Sequence, residues 1–190
     1  MKTVLGLVGE IGSGKSTFVR IVEELIPETK IAHFKSSDIL AAILEILNKP
    51  ATRKNLQKLP EILSELFDDD VISEAIFARI SQSDADICVF DGVRWPSDVE
   101  VLRRFPNNFL IYITADARTR YSRVKSRKDK LEEADLTFAQ FLQADLSQTE
   151  IFIPKIGENA DIKISNGDTI DSFFEDIKNF VEYNLKTADK

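Results

Sequence analysis

The chain alternates short, almost wholly apolar runs with longer stretches in which apolar residues recur every three or four positions. The short runs are residues 3–8, 30–34, 86–92, 109–114 and 160–165. Their length and their β-branched and aromatic content predict strands buried in a parallel sheet, with 160–165 alternating enough to lie at an edge. The periodic stretches predict helices. One runs from Ser16 to about Ile26 and stops before Pro27, which cannot continue it. A second carries Ile39, Leu40, Ile43, Leu44, Ile46 and Leu47 behind a serine cap at Ser36-Ser37. Residues 52–82 read as helical without a strand, with Pro60 opening a new helix whose apolar face is Ile62, Leu63, Leu66 and Phe67. Ser97-x-x-Glu100 and Thr137-x-x-Gln140 have the form of capping boxes. A last helix buries Phe173, Ile177, Phe180 and Val181. Strands separated by helices predict a sheet with helices on both faces and ligands above the carboxyl ends of its strands.

One junction carries a specific chemical pattern. Between the first strand and the first helix lies Gly9-Glu10-Ile11-Gly12-Ser13-Gly14-Lys15-Ser16, a complete G-x-x-x-x-G-K-[ST]. Gly9, Gly12 and Gly14 let the backbone curl so that successive N–H groups, including those of Ser13 and Thr17, face one anion at the positive end of the helix. Lys15 would then reach the terminal phosphates of a nucleotide, and the Ser16 hydroxyl would coordinate Mg²⁺. Asp91 ends the third apolar run, where a carboxylate holds Mg²⁺ directly or through water. The residue after it is Gly92, not the glutamate that would activate a water for hydrolysis.

Composition narrows the picture. In 190 residues, 43% of them hydrophobic, one core-bearing domain is expected. The net charge of −7 argues against binding a nucleic-acid polymer, so any basic cluster is local. Such a cluster exists: residues 116–130 hold seven Lys or Arg and two acids, with Arg120, Arg123 and Arg127 able to share one helix side. It reads either as a solvated basic face or as an anion site. Asp38, in the first turn of the second helix, either favours that helix terminus electrostatically or faces a ligand at the strand end. Asp68-Asp69-Asp70 reads as capping and solvated surface, not as a metal site. Cys88 is the single cysteine and His33 the single histidine, which excludes an internal disulfide and a multi-histidine centre. The N-terminal apolar run is too short for a signal or a membrane span, so a cytoplasmic protein away from membranes is expected, as a monomer or small homo-oligomer.

Over nearly its whole length the sequence resembles the P-loop kinases of small metabolites, the nucleoside monophosphate kinases and the similar dephospho-coenzyme A kinases. The motifs that carry the resemblance are residues 9–17, Ser-Asp-Ile-Leu at 37–40, Asp-Gly-Val-Arg at 91–94 and Arg-Val-Lys-Ser-Arg at 123–127. It implies a three-layer α/β/α P-loop NTPase fold with a five-stranded parallel sheet, a helical acceptor-binding insertion at 39–82 and a small lid at 123–148. It also implies transfer of a phosphoryl group from Mg-ATP to a small phosphorylated acceptor, a nucleoside monophosphate or alternatively dephospho-coenzyme A. By the same resemblance, Asp38 lies near the acceptor, Asp91 is associated with Mg²⁺, and Arg94 binds acceptor phosphate. Arg123 looks like the residue that stacks on the donor base, Arg127 like one that stabilises the transferred group, and Asn166-Gly167 like the turn that meets adenine. The arginine common in adenylate kinases at position 41 is alanine here, with Arg53 a possible replacement. An NTP-hydrolysing regulatory ATPase is the remaining alternative.

Overall fold

The computed structural model describes residues 2–68, 70–126, 136–147 and 150–186, apart from the side chains of Arg53 and Gln57. Five strands form one parallel sheet in the order β2-β3-β1-β4-β5. They are β1 (Thr3–Val8), β2 (Ile31–Lys35), β3 (Ile87–Asp91), β4 (Asn108–Thr114) and β5 (Ile162–Ser165). β1 is central, and all six of its residues are buried, because paired strands flank it on both sides and helices cover both its faces. Its register aligns Leu7 with Asp91 of β3 and with Ile111 of β4, and Lys35 of β2 with Asp91. The residues leaving β1, β2 and β3 therefore emerge along one edge of the sheet.

Side chains alternate between the two faces, and each face has its own core. On one, Leu5, Leu7, Val89, Ile111 and Ile113 pack with Phe18, Ile21 and Val22 of α1 (Lys15–Leu25) and Phe173, Ile177 and Phe180 of α9 (Ile170–Phe180). On the other, Val4, Val8, Cys88, Phe90 and Leu110 meet Ile76 and Ile80 of α4 (Val71–Gln82), Leu102 of α5 (Pro96–Arg103) and Ile153 and Ile156 of α8 (Ile153–Glu158). Each fully buried side chain of this size contributes about 1.5–3 kcal/mol, so the two cores lock the strand ends against each other. This is the three-layer α/β/α architecture. No helix among the described residues is long and apolar enough to cross a membrane.

Of the local signals at four helix starts, three resolve differently from expectation and one holds. α2 (Ser36–Ile46) begins without a side-chain cap, since β2 runs directly into it and Lys35 takes the cap position. α3 (Arg53–Leu66) starts about two turns before Pro60, because the Thr52 side chain accepts from Asn55 N; the proline sits inside the helix and does not open it. The apolar face assigned to it is outward, with Ile62, Leu66 and Phe67 exposed. α5 is capped by neither Ser97 nor Glu100 but by Asp98, whose Oδ2 accepts from Arg94 N at 2.9 Å and Trp95 N at 3.1 Å. α7 (Phe138–Asp145) carries the Thr137 and Gln140 capping box expected of it. Asp70 takes the N-cap position of α4 without a side-chain bond, and Asp68 and Asp70 are exposed. His33 is exposed on β2, 3.0 Å from Glu23.

Candidate functional site

The loop between β1 and α1 has the backbone its glycines permit. Gly14 takes φ +110° and Gly12 φ +81°, in the left-handed region. A Cβ on Gly12 would lie 2.7 Å from Arg120 O, and one on Gly14 would lie 2.1 Å from Asn166 Nδ2, so the loop is closely packed as well as curled. Lys15 folds back over it, Nζ donating to Gly9 O at 2.5 Å and to Glu10 O at 3.3 Å. Ser16 is exposed at the start of α1, Thr17 is half-buried and Ser13 is buried. Glu10 reaches away to β4 and accepts from Tyr112 OH at 2.6 Å. Burial and that carboxylate push the Tyr112 phenol up to about 12.

One flank of the loop is built by α6 (Ala117–Ser126) and the turn after β5. Arg123 Nη2 donates to Asn166 O at 2.8 Å and to Asn166 Oδ1 at 3.2 Å, and Asn166 Nδ2 donates to Ser13 O at 2.8 Å. Two sequence-derived candidates from distant segments are thus joined to a third. Arg120 is buried, which rules out a fully solvated basic face. Its Nη2 donates to Asp145 Oδ2 at 2.8 Å and its Nη1 to Asp145 Oδ1 at 3.2 Å, while Nε donates to Ala115 O at 3.0 Å and Nη1 also to Ile11 O at 3.3 Å. The guanidinium ties α7, the residue just after β4 and the phosphate loop together. Gly167 follows Asn166 on the surface. Arg127 and most of the segment assigned to the lid's first half lie outside the described residues, as does the side chain of Arg53.

The opposite flank follows β3. Asp91 is only 13% exposed, and its Oδ2 lies 3.4 Å from Lys35 Nζ. Gly92 N and Val93 N donate to Leu7 O, which folds the next residues back toward β1. Arg94 emerges there with its side chain 38% exposed and pairs through Nη1 with Glu150 Oε1. The expected phosphate-binding arginine therefore already holds a protein carboxylate, and that carboxylate is buried. Burial pushes the Arg94 guanidinium down from its ordinary value, against the upward pull of Asp91 and Asp98. Burial likewise pushes the Asp98 carboxyl up, opposed by its bonds from Ser73, Arg94 N and Trp95 N. Asp38 is exposed in the first turn of α2.

Among the described residues, the buried side-chain atoms without a hydrogen-bond partner are Glu10 Oε2, Ser13 Oγ, Arg123 Nη1 and Glu150 Oε2. Every one belongs to the loop or to a residue flanking it. Buried polar atoms left unpaired are costly and concentrate where a ligand completes them. Ser13 Oγ and Arg123 Nη1 are donors, which suits an anion. Lys35 and Glu150 were not singled out from sequence. Lys35 stands directly before Ser36-Ser37-Asp38 and could have been found as a strand-end cation. Glu150 has no local signal, because it reaches Arg94 across 56 positions.

The profile of an AAA domain (AAA_17) matches residues 8–137, more than half of the chain. The chain belongs to this family. A UPF0200 protein of Saccharolobus islandicus is 25% identical over 177 residues, covering 92% of this chain and 88% of its own. Among solved structures, TT1252 from Thermus thermophilus is similar with a TM-score of 0.61 at 16% identity, over 97% of this chain and 98% of that one. Shikimate kinase from Acinetobacter baumannii, in complex with shikimate, gives 0.59 at 15% identity over 100% and 97%. The fold is the P-loop kinase fold of shikimate kinase. Within that fold the complete phosphate loop has the form that cradles a nucleotide's phosphates.

Proposed function

We propose that the protein transfers a phosphoryl group from Mg-ATP to a nucleoside monophosphate, yielding the diphosphate. The observation that carries this reading is the pairing of a phosphate loop with two separate basic flanks: Arg123 on Asn166 at one side, and Arg94 beside Asp91 and Lys35 at the other. Phosphoryl transfer needs charge neutralisation and in-line placement of two anionic partners more than it needs covalent chemistry. A donor triphosphate on the loop, with its base against Arg123 and the Asn166-Gly167 turn, leaves Arg94 for the phosphate of the acceptor. Asp38, in the first turn of α2 just after β2, would stand near the acceptor. The segment 39–82 would carry the acceptor and the segment 123–148 would close over the donor.

Ser16 and Asp91 offer oxygen donors suited to Mg²⁺, which is ordinarily held by one or two protein ligands, phosphate oxygens and water. Among the described residues no group of three or more His, Cys, Asp or Glu could hold a metal ion. When bound, Mg²⁺ would neutralise phosphate charge. Lys35, 3.4 Å from Asp91, keeps that carboxylate in place.

The test is incubation of the purified protein with ATP, Mg²⁺ and a panel of ribo- and deoxyribonucleoside monophosphates, followed by chromatography for ADP and product. Diphosphates formed with ADP support the reading. Phosphorylation of dephospho-coenzyme A alone reassigns the acceptor, and equal ADP with no acceptor present makes the protein a hydrolase.

A further inference from the structure

Arg94 and Trp95 are consecutive, and both are anchored by the same short stretch of chain. Arg94 pairs with Glu150, while the Trp95 ring lies 5.4 Å from that of Phe152, centroid to centroid, at 51°. The partners are two positions apart, so guanidinium and indole are tied to the same short stretch, residues 150–152. Trp95 is half-buried and Phe152 is 36% exposed. Both rings stand just beyond the carboxyl end of β3, where the fold binds ligands. Among the described residues Nη1 is the only guanidinium nitrogen of Arg94 with a partner, so the rest of its donor edge is available to an anion. A cation with open donors next to two tilted, partly exposed aromatic faces matches the two ends of a nucleotide: a phosphate, and a flat base one sugar away.

We propose that Trp95 and Phe152 form the platform on which the base of the acceptor nucleotide stacks while Arg94, steadied by Glu150, takes its phosphate. This rests on the nucleoside monophosphate reading and adds the residues that recognise the base. A platform of this kind tolerates several bases, because each has a π-face, and it discriminates against phosphorylated acceptors without an aromatic base. Glu150 acts as a positioning residue: it fixes the guanidinium through Nη1 and leaves the other nitrogens facing the site.

Trp95 is the sole tryptophan, so the intact protein reports on its own platform. Its fluorescence is titrated with AMP, dTMP, ribose 5-phosphate and inorganic phosphate, with free tryptophan amide as the control for absorption by the nucleotide. Saturable quenching is expected from at least one nucleoside monophosphate and not from ribose 5-phosphate or phosphate. In steady-state kinetics, Trp95→Ala and Phe152→Ala should raise the KM of that acceptor by about ten- to a hundredfold, the range for loss of a stacked aromatic. The KM for ATP should stay within twofold, and Trp95→Phe should recover most of the loss. If wild type makes diphosphate yet neither ring substitution moves acceptor KM, or ribose 5-phosphate quenches equally, the platform is refuted and the function stands. Wild type that phosphorylates no nucleoside monophosphate overturns the function and the platform together.

Discussion

Arg123 and Asn166, 43 positions apart, are held by two hydrogen bonds from one guanidinium nitrogen, at 2.8 Å to the backbone oxygen and 3.2 Å to the side-chain oxygen. The same carboxamide donates to Ser13 O at 2.8 Å. α6, the turn after β5 and the phosphate loop thereby share one side chain. Asn166→Ala removes the tie to Ser13 and one of the two bonds to Arg123. The expected loss is about 1–3 kcal/mol, since buried groups are left unpaired, with KM for ATP rising more than KM for the acceptor. Urea denaturation and kinetics with ATP varied check this, and an unchanged KM for ATP would detach Asn166 from the donor site.

Lys15→Ala should leave the unfolding midpoint nearly unchanged, because the ammonium is half-buried and meets loop carbonyls instead of the core. Turnover should fall by about 10³-fold or more, as for loss of a cation acting on the transferred phosphate. Near-normal phosphoryl transfer by the folded variant would remove the phosphate loop from the mechanism.

Gly12→Ala adds a Cβ at φ +81° and 2.7 Å from Arg120 O, a backbone atom that cannot swing aside. About 1–3 kcal/mol of destabilisation is expected from that conformation, with loss of ATP affinity as the loop is pushed out of shape. Calorimetric titration with ATP, beside thermal unfolding, measures both.

Arg120 and Asp145 form a two-bond pair in which the arginine side chain is 7% exposed and the aspartate 19%. Removing one partner leaves the other charge buried, so Arg120→Ala should cost about 3–5 kcal/mol. In a double-mutant cycle with Asp145→Asn the coupling should reach about 0.5–3 kcal/mol. Strict additivity would mean that the pair does not hold α7 to the loop.

Asp98 gives a pH signature. Burial raises its folded pKa above the ordinary 3.8, so the folded state binds more protons than the unfolded chain between those two values. Stability contributed by this group is therefore largest in acid, declines as pH rises from about 3.8 through the raised folded value, and is level above it. Asp98→Asn should abolish that decline. Urea midpoints of wild type and variant compared across this window decide, and a constant difference between them would contradict it.

The order of strands and helices, the parallel sheet and the phosphate loop were legible in the sequence because each is encoded by neighbours. Apolar runs of strand length, helical periodicity and a glycine-Lys-Ser pattern are local properties of the chain. Helix boundaries followed the same logic less closely: Asp98 caps α5 in place of Ser97, and α3 passes through Pro60, because competing short-range bonds differ by small energies. The strand order β2-β3-β1-β4-β5 is a long-range choice, made by which faces can be covered together. So are the contacts that give the site its character. Glu150 reaches Arg94 over 56 positions, Asn166 reaches Ser13 over 153, and Lys35 meets Asp91 only because β2 and β3 align in register. A sequence names the groups able to bind phosphate; which of them face one another, and which are already paired with a carboxylate, depends on packing that closes only when both cores have formed.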